Sequence, residues 1–292
     1  MKQLFSICGI VLMLLATNNL QAQKEGEFHL DQVYALGANG TVHLVSSDAD
    51  VRITGTDRSD VHVKIDRFEQ VNGIRSGRRR FSVEVEEKGG DLFIEERRSG
   101  SVSFSMGSFR TEYEIVIEMP SNGSLRVRGE DDDYIIKSIH GAISISSEDG
   151  DIDIYDTKSS NIDVRLEDGD LRLAGGTGRF YANSEDGDLD IRNAAFTELE
   201  IVIEDGNVSL ETTLADNGVY DIRSDDANIE FTVLSGGGKF LISKDDGRVN
   251  SGMGFTVQEE TDNRVRLSLP GGSADVEIRI NDGRVRLDTK VR

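Results

Sequence analysis

The stretch Ser147-Glu148-Asp149-Gly150-Asp151-Ile152-Asp153-Ile154 returns as Leu166-Glu167-Asp168-Gly169-Asp170-Leu171-Arg172-Leu173, and again as Ser184-Glu185-Asp186-Gly187-Asp188-Leu189-Asp190-Ile191. Each copy is two acidic residues and a glycine, followed by polar–apolar alternation. Weaker copies centre on Gly206, Ala227, Gly247, Asn263 and Gly283, with Asp132 as a degenerate first member. Successive centres lie 18, 19, 18, 19, 21, 20, 16 and 20 residues apart. A period this regular implies stacked coils in place of a globular core.

The period halves. Before each centre a second small or turn-forming residue (Gly123, Gly141, Ser160, Gly178, Thr197, Gly218, Gly238, Gly254, Ala274) opens the same alternation. Each coil thus holds two short strands and two corners, with apolar residues on one face of every strand. The spacing leaves no room for crossover helices, so equivalent strands of successive coils stack in parallel. The predicted fold is all-β: a parallel two-sheet β-solenoid of about nine coils of 18–20 residues, with an N-terminal strand and hairpin region as its cap. Glycine at the corner supplies a positive φ without side-chain strain. The aspartate before it is placed to bond the backbone two residues on.

The chain divides into three parts. Residues 1–22, with Lys2, the apolar run Leu4 to Leu15 and Ala22, have the make-up of a secretory signal peptide; the run is too short to span a bilayer. Residues 23–120 form an N-terminal β region with a first coil opened by Gly40 and Ala49. Within it Glu87-Lys88-Gly89-Gly90-Asp91 joins two alternating runs as a hairpin, and Pro120 marks the junction with the repeat domain, 121–292. Cys8, the only cysteine, leaves with the signal, so stability has to come from stacking. The net charge of −21 argues against nucleic acid and anionic membrane surfaces as partners. The expected location is outside the cytoplasm, periplasmic or extracellular, with no membrane span after signal cleavage.

Two groups of residues could carry binding. Stacking lines up Asp149, Asp168, Asp186 and Asp205, with Glu148, Glu167, Glu185 and Glu204 beside them, and calcium held between adjacent coils would relieve their repulsion. Calcium-binding nonapeptide repeats place aspartate after glycine, whereas here it precedes a lone glycine, so a solvated ladder is the plainer expectation. The second group is Arg78, Arg79, Arg80, Arg97 and Arg98, two loop clusters suited to a carboxylate or phosphate polymer. No nucleophile motif, phosphate loop or paired-histidine motif occurs, and no cofactor is expected beyond calcium.

The order of elements resembles a known family. An export signal, an early Gly-x-apolar-x-apolar pair and the strand Tyr113-Glu114-Ile115-Val116-Ile117-Glu118-Met119-Pro120 precede many Gly-x-apolar-x-apolar copies. The chain is similar to the DUF4097 β-strand-repeat family of bacterial envelope proteins, labelled adhesins, and to the related head-GIN-type domains. The resemblance implies a parallel β-solenoid and supplies no catalytic residues. The function expected is that of an exported, non-catalytic, adhesin-like binding or scaffold protein of the cell envelope. Its partner would be an envelope protein or polysaccharide, with self-association through the solenoid ends. An enzyme acting on acidic polysaccharide would need side loops and a cleft that the short coils lack. An oligomeric envelope sensor is the third reading.

Overall fold

The computed structural model describes residues 26–77, 80–100 and 102–290. It is all-β, with no helix among the described residues, and its strands are hydrogen-bonded into one connected sheet. The expected signal peptide lies outside the described residues. The repeat determines the pairing. Ile143–Ser147 runs parallel to Asn161–Asp168, with Ile143 opposite Ile162, and that strand runs parallel to Thr177–Asp186, with Ile162 opposite Phe180. On a second ladder Ile152 faces Leu171 and Leu171 faces Leu189.

Alternation decides what lies inside. In Ile143–Ser147 every second residue is buried, as are Leu171 and Leu173 of Leu171–Gly175, and the inward apolar residues of both ladders form one hydrophobic cluster. Phe231 of the second ladder meets Phe240 of the first edge to face, 6.0 Å between centroids, so the ladders pack across a shared interior. Fully burying each Ile, Leu or Phe contributes about 1.5–3 kcal/mol, repeated layer after layer.

A strictly sequential stack of nine coils is not what the pairing shows; chain order is interrupted at both ends. Thr41–Val45 and Asp50–Thr56 lie inside the stack. Their outer neighbours are Asp91–Ser99 and Val102–Pro120, and their inner neighbours are Ser124–Arg128 and Asp133–Lys137. Residues on both sides of Pro120 therefore share the same ladders. At the other end Ala274–Thr289 sits between Val219–Ser235 and the pair Gly238–Lys244 and Arg248–Ser251. In space the corner at Ala227 is followed by Gly283 and then Gly247. Asn263 is not a coil corner; it belongs to the turn of the antiparallel hairpin Thr256–Glu260 and Arg264–Leu269, which covers Gly238–Lys244.

The reason is physical: an open parallel stack exposes unpaired edge groups, and antiparallel strands cover both ladders at the N-terminal end and the Gly238–Lys244 ladder at the other, where Arg248–Ser251 pairs only with Ala274–Thr289. At the N-terminal end Glu27–Ala35 pairs with Asp60–Gly77, and Arg80–Lys88 with Asp91–Ser99 through the hairpin expected over Glu87–Asp91, whose turn is the two residues Gly89-Gly90.

Corner glycines are needed for two reasons at once. Gly169 has φ +125°, and a Cβ there would lie 2.4 Å from the carbonyl oxygen of Gly150, the corner one layer below. The hydrogen bonds around these corners correct the sequence reading: it is the aspartate after the glycine that bonds backbone, and it reaches between layers. The Asp170 N–H donates to Asp151 Oδ1 (3.0 Å), Asp188 N–H to Asp170 Oδ1 (3.0 Å) and Asn207 N–H to Asp188 Oδ1 (2.9 Å).

Gly169→Val is expected to destabilise the protein by at least about 2 kcal/mol in urea melts, since it adds both a positive-φ penalty and a backbone clash. Asp170→Asn keeps an Oδ1 acceptor, as Asn207 does where its Oδ1 accepts the Asn228 side-chain N–H in this column, and is expected to change stability by less than about 1 kcal/mol. Equal effects would overturn the corner geometry.

Candidate functional site

The corner phrase sets its acidic residues in columns along one edge. Asp131 bridges to Asp149, Asp168 pairs with Asp186, Asp186 with Asp205, Asp205 with Asp226 and Asp226 with Asp282. All four sequence-predicted metal residues, Asp149, Asp168, Asp186 and Asp205, thus stand in one ladder. Neighbouring charges about 5 Å apart repel by about 0.8 kcal/mol in water and about 3 kcal/mol at an effective dielectric of 20. Desolvation, then the Asp131 carboxyl and the charges of Asp168 and Glu148, hold the Asp149 carboxyl above the usual range. Among the described residues no group of three or more His, Cys, Asp or Glu side chains converges as a metal site.

The outer sheet faces are treated differently. There a carboxylate and an arginine two residues apart lie on the same side of a strand and pair: Asp163 with Arg165 (2.5 Å), Asp170 with Arg172 (2.7 Å), Asp221 with Arg223 (2.6 Å) and Glu277 with Arg279 (2.6 Å). Arg172 also reaches Asp151 in the layer below (3.2 Å). Among the described residues no cation ion-pairs with Asp149, Asp168, Asp186, Asp205 or Asp226. Exposed pairs add little stability; what they do here is neutralise the faces and leave the corner edge negative.

The arginine group is less concentrated than its sequence suggests. Arg78 and Arg79 lie outside the described residues. Arg80, Arg97 and Arg98 share the hairpin Arg80–Lys88 and Asp91–Ser99, but as neighbours Arg97 and Arg98 point to opposite faces. Arg97 pairs with Glu84 (3.2 Å) and Glu95 (2.5 Å), and Arg98 with the buried carboxylate of Glu96.

A buried polar corner escaped the sequence reading. Asp132, counted there as a degenerate repeat, is fully buried; its carboxylate accepts the Ala49 N–H (2.7 Å) and the Tyr134 hydroxyl (3.0 Å), tying the inserted first coil to its neighbour. Burial pushes its pKa up, against the hydrogen bonds it accepts. Beside it opens a groove of about 720 Å³ lined by Asp48, Asp50, Asp131, Asp133, Glu112 and Arg67 among others. The available signal was Gly129-Glu130-Asp131-Asp132-Asp133, where an acid stands in the place of the corner glycine.

Residues 39–292 match the family model Toastrack DUF4097. The chain belongs to the Toastrack DUF4097 family. No curated protein gives a confident match. Among solved structures the chain is similar to a candidate cell-adhesion protein from Clostridium sporogenes, at 12% identity and TM-score 0.30 over 90% of this chain and 100% of that one. It is also similar to a candidate adhesin from Bacteroides fragilis, at 11% identity and TM-score 0.39 over 89% and 97%. A third is a candidate lipid-binding protein from Parabacteroides distasonis, at 12% identity and TM-score 0.37 over 89% and 96%. No described helix of this Toastrack chain is long and apolar enough to cross a membrane.

Asp132 binds its proton more tightly folded than unfolded, so its contribution to stability is fully present below the unfolded pKa near 3.8 and is lost as pH rises through the folded value. Thermal melts of the protein and of Asp132→Asn are expected to show the variant gaining on the native chain as pH rises above about 4. A constant difference would contradict this. For the ladder, calcium is expected to raise the melting temperature no more than sodium chloride at matched ionic strength, through screening. A calcium-specific rise abolished by Asp168→Asn with Asp186→Asn would establish a metal site instead.

Proposed function

We propose that this Toastrack protein is an exported, non-catalytic, adhesin-like binding protein of the cell envelope, its body a two-sheet β-solenoid that displays the acidic corner edge. The observation that supports the reading is the contrast in charge compensation: Asp163, Asp170, Asp190 and Asp221 on the sheet faces carry arginine partners, whereas the corner column from Asp149 to Asp226 has none among the described residues. Regular spacing at one layer, about 4.8 Å, makes this edge a rigid row of negative charge. A row of this kind suits the basic face of an envelope protein, which could engage several layers at once and would be drawn in by long-range attraction. Binding of this type gains from rigidity, because the charges are already ordered before the partner arrives.

The test is capture from envelope extracts with the native protein and with a variant carrying Asp149→Asn, Asp168→Asn, Asp186→Asn and Asp205→Asn. The expected result is a retained partner that is released by raising salt and lost in the variant. Equal capture by both proteins, or no retained component, would sink the proposal. A partner that is polysaccharide would revise its chemical class.

A further inference from the structure

The last coil of the chain is not the last coil of the stack. Ala274–Thr289 fills a slot whose two walls come earlier in sequence: Val219–Ser235 on one side, Gly238–Lys244 with Arg248–Ser251 on the other. Without it the walls would stand two strand spacings apart, about 9.6 Å, joined to each other through Ser235-Gly236-Gly237-Gly238. The segment brings its own fastenings. Val276, Ile278, Ile280, Val285 and Leu287 are buried, Arg279 pairs with Asp221 (3.1 Å), Asn281 donates to Asp225 (2.8 Å) and Lys290 pairs with Glu211 (2.6 Å).

The tether is short and crowded. From the end of the covering hairpin at Leu269, the chain returns past the wall through Pro270-Gly271-Gly272-Ser273. A Cβ on Gly237 would lie 2.4 Å from Leu269 O, one on Gly272 2.5 Å from Gly237 O, and one on Gly238 2.1 Å from Ala274 O. Two backbones pass here with no room for side chains. Proline at the start of the hinge holds Leu269 in the extended backbone that it already has at the end of Arg264–Leu269, and so ends that strand where the crossing begins.

We propose that Ala274–Thr289 is exchangeable, and that two copies of this chain associate by each placing it in the slot of the other. Every wall group that the segment meets is present in a second copy, so the closed and exchanged forms differ only in the hinge. Reciprocal exchange closes a two-fold dimer without creating any new complementary surface. The Gly238–Ala274 pairing is remade with the second copy, and only the four-residue crossing Pro270–Ser273 is opened, since the hinge then leads outward. The proposal rests on the topology of the C-terminal end and is independent of the acidic edge.

The experiment uses the full chain with Cys8→Ser, which removes the only native cysteine. Arg223 and Arg279 are register partners across the slot wall, with outward side chains, at a strand spacing within disulfide reach. One preparation carries Arg223→Cys and another Arg279→Cys. After mixing and oxidation, exchange predicts a mixed-disulfide dimer of twice the monomer mass, increasing with protein concentration and exceeding that of either preparation alone. A chain carrying both cysteines is expected to form the internal bond as a monomer when dilute; failure there would refute the register itself. Deleting Gly271 and Gly272 shortens the tether and is expected to shift the protein from monomer to dimer in light-scattering mass measurements. A folded monomer after that deletion, or a mixture without the mixed disulfide, would overturn the proposal; should the deletion variant not fold, the mixed disulfide decides.

Discussion

The structure depends on one constraint: each corner has to rest directly on the carbonyl of the corner below. Asp132, Gly150, Gly169, Gly187 and Gly206 form a column in which a Cβ on any of the four glycines would lie 2.0–2.4 Å from the oxygen beneath it. This close approach fixes the register of both ladders, because a slip of one residue would put a side chain where none fits and turn every apolar residue outward. Burial then follows from alternation. Isoleucine stacks on leucine and phenylalanine through the whole column, and the interior needs no disulfide to hold it.

The same constraint creates the electrostatic problem. Residues flanking a fixed corner must stack on their own kind, so two acids per phrase become two rows of like charge. The molecule answers in two ways. Where the row follows the corner glycine, carboxylate oxygens accept the backbone N–H of the next layer, and Asn207 and Asn228 extend the row without charge through a side-chain bond in which Asn228 donates to Asn207 Oδ1. Where the row precedes it, the carboxylates remain in water, unmatched by cations among the described residues. A row of this kind costs little when solvated and offers a ready surface to a positively charged partner.

Both ends of the stack use an inserted coil and an antiparallel cover, although the C-terminal cover reaches only the Gly238–Lys244 ladder. At the N-terminal end, Thr41–Val45 and Asp50–Thr56 are enclosed by segments that follow them, and the carboxylate of Asp132 reaches across to the Ala49 N–H. At the C-terminal end the enclosed segment follows both of its walls in sequence. Its slot has to remain open, or be covered by something else, until that segment arrives. This difference in timing, imposed by topology, separates two otherwise similar ends.

The sequence by itself determined the period, the strands and corners, the inward residues, the acidic columns and the hairpin turn at Gly89-Gly90, because each is a local matter of alternation and turn chemistry. The family was legible for the same reason: its motifs are the repeat itself. Only the tertiary structure decided the order of the layers. A Gly-x-apolar-x-apolar phrase fits any neighbour of the same register, so nothing local distinguishes Gly283 above Ala227 from Gly247 above Ala227. The turn-fixing role of Asp170 was hidden likewise, since its acceptor oxygen serves Asp188, eighteen residues away. Asp132 was hidden because burial of a carboxylate is set by what packs over it, Ala49 and Tyr134, and one of those comes from a coil that the chain order places far below.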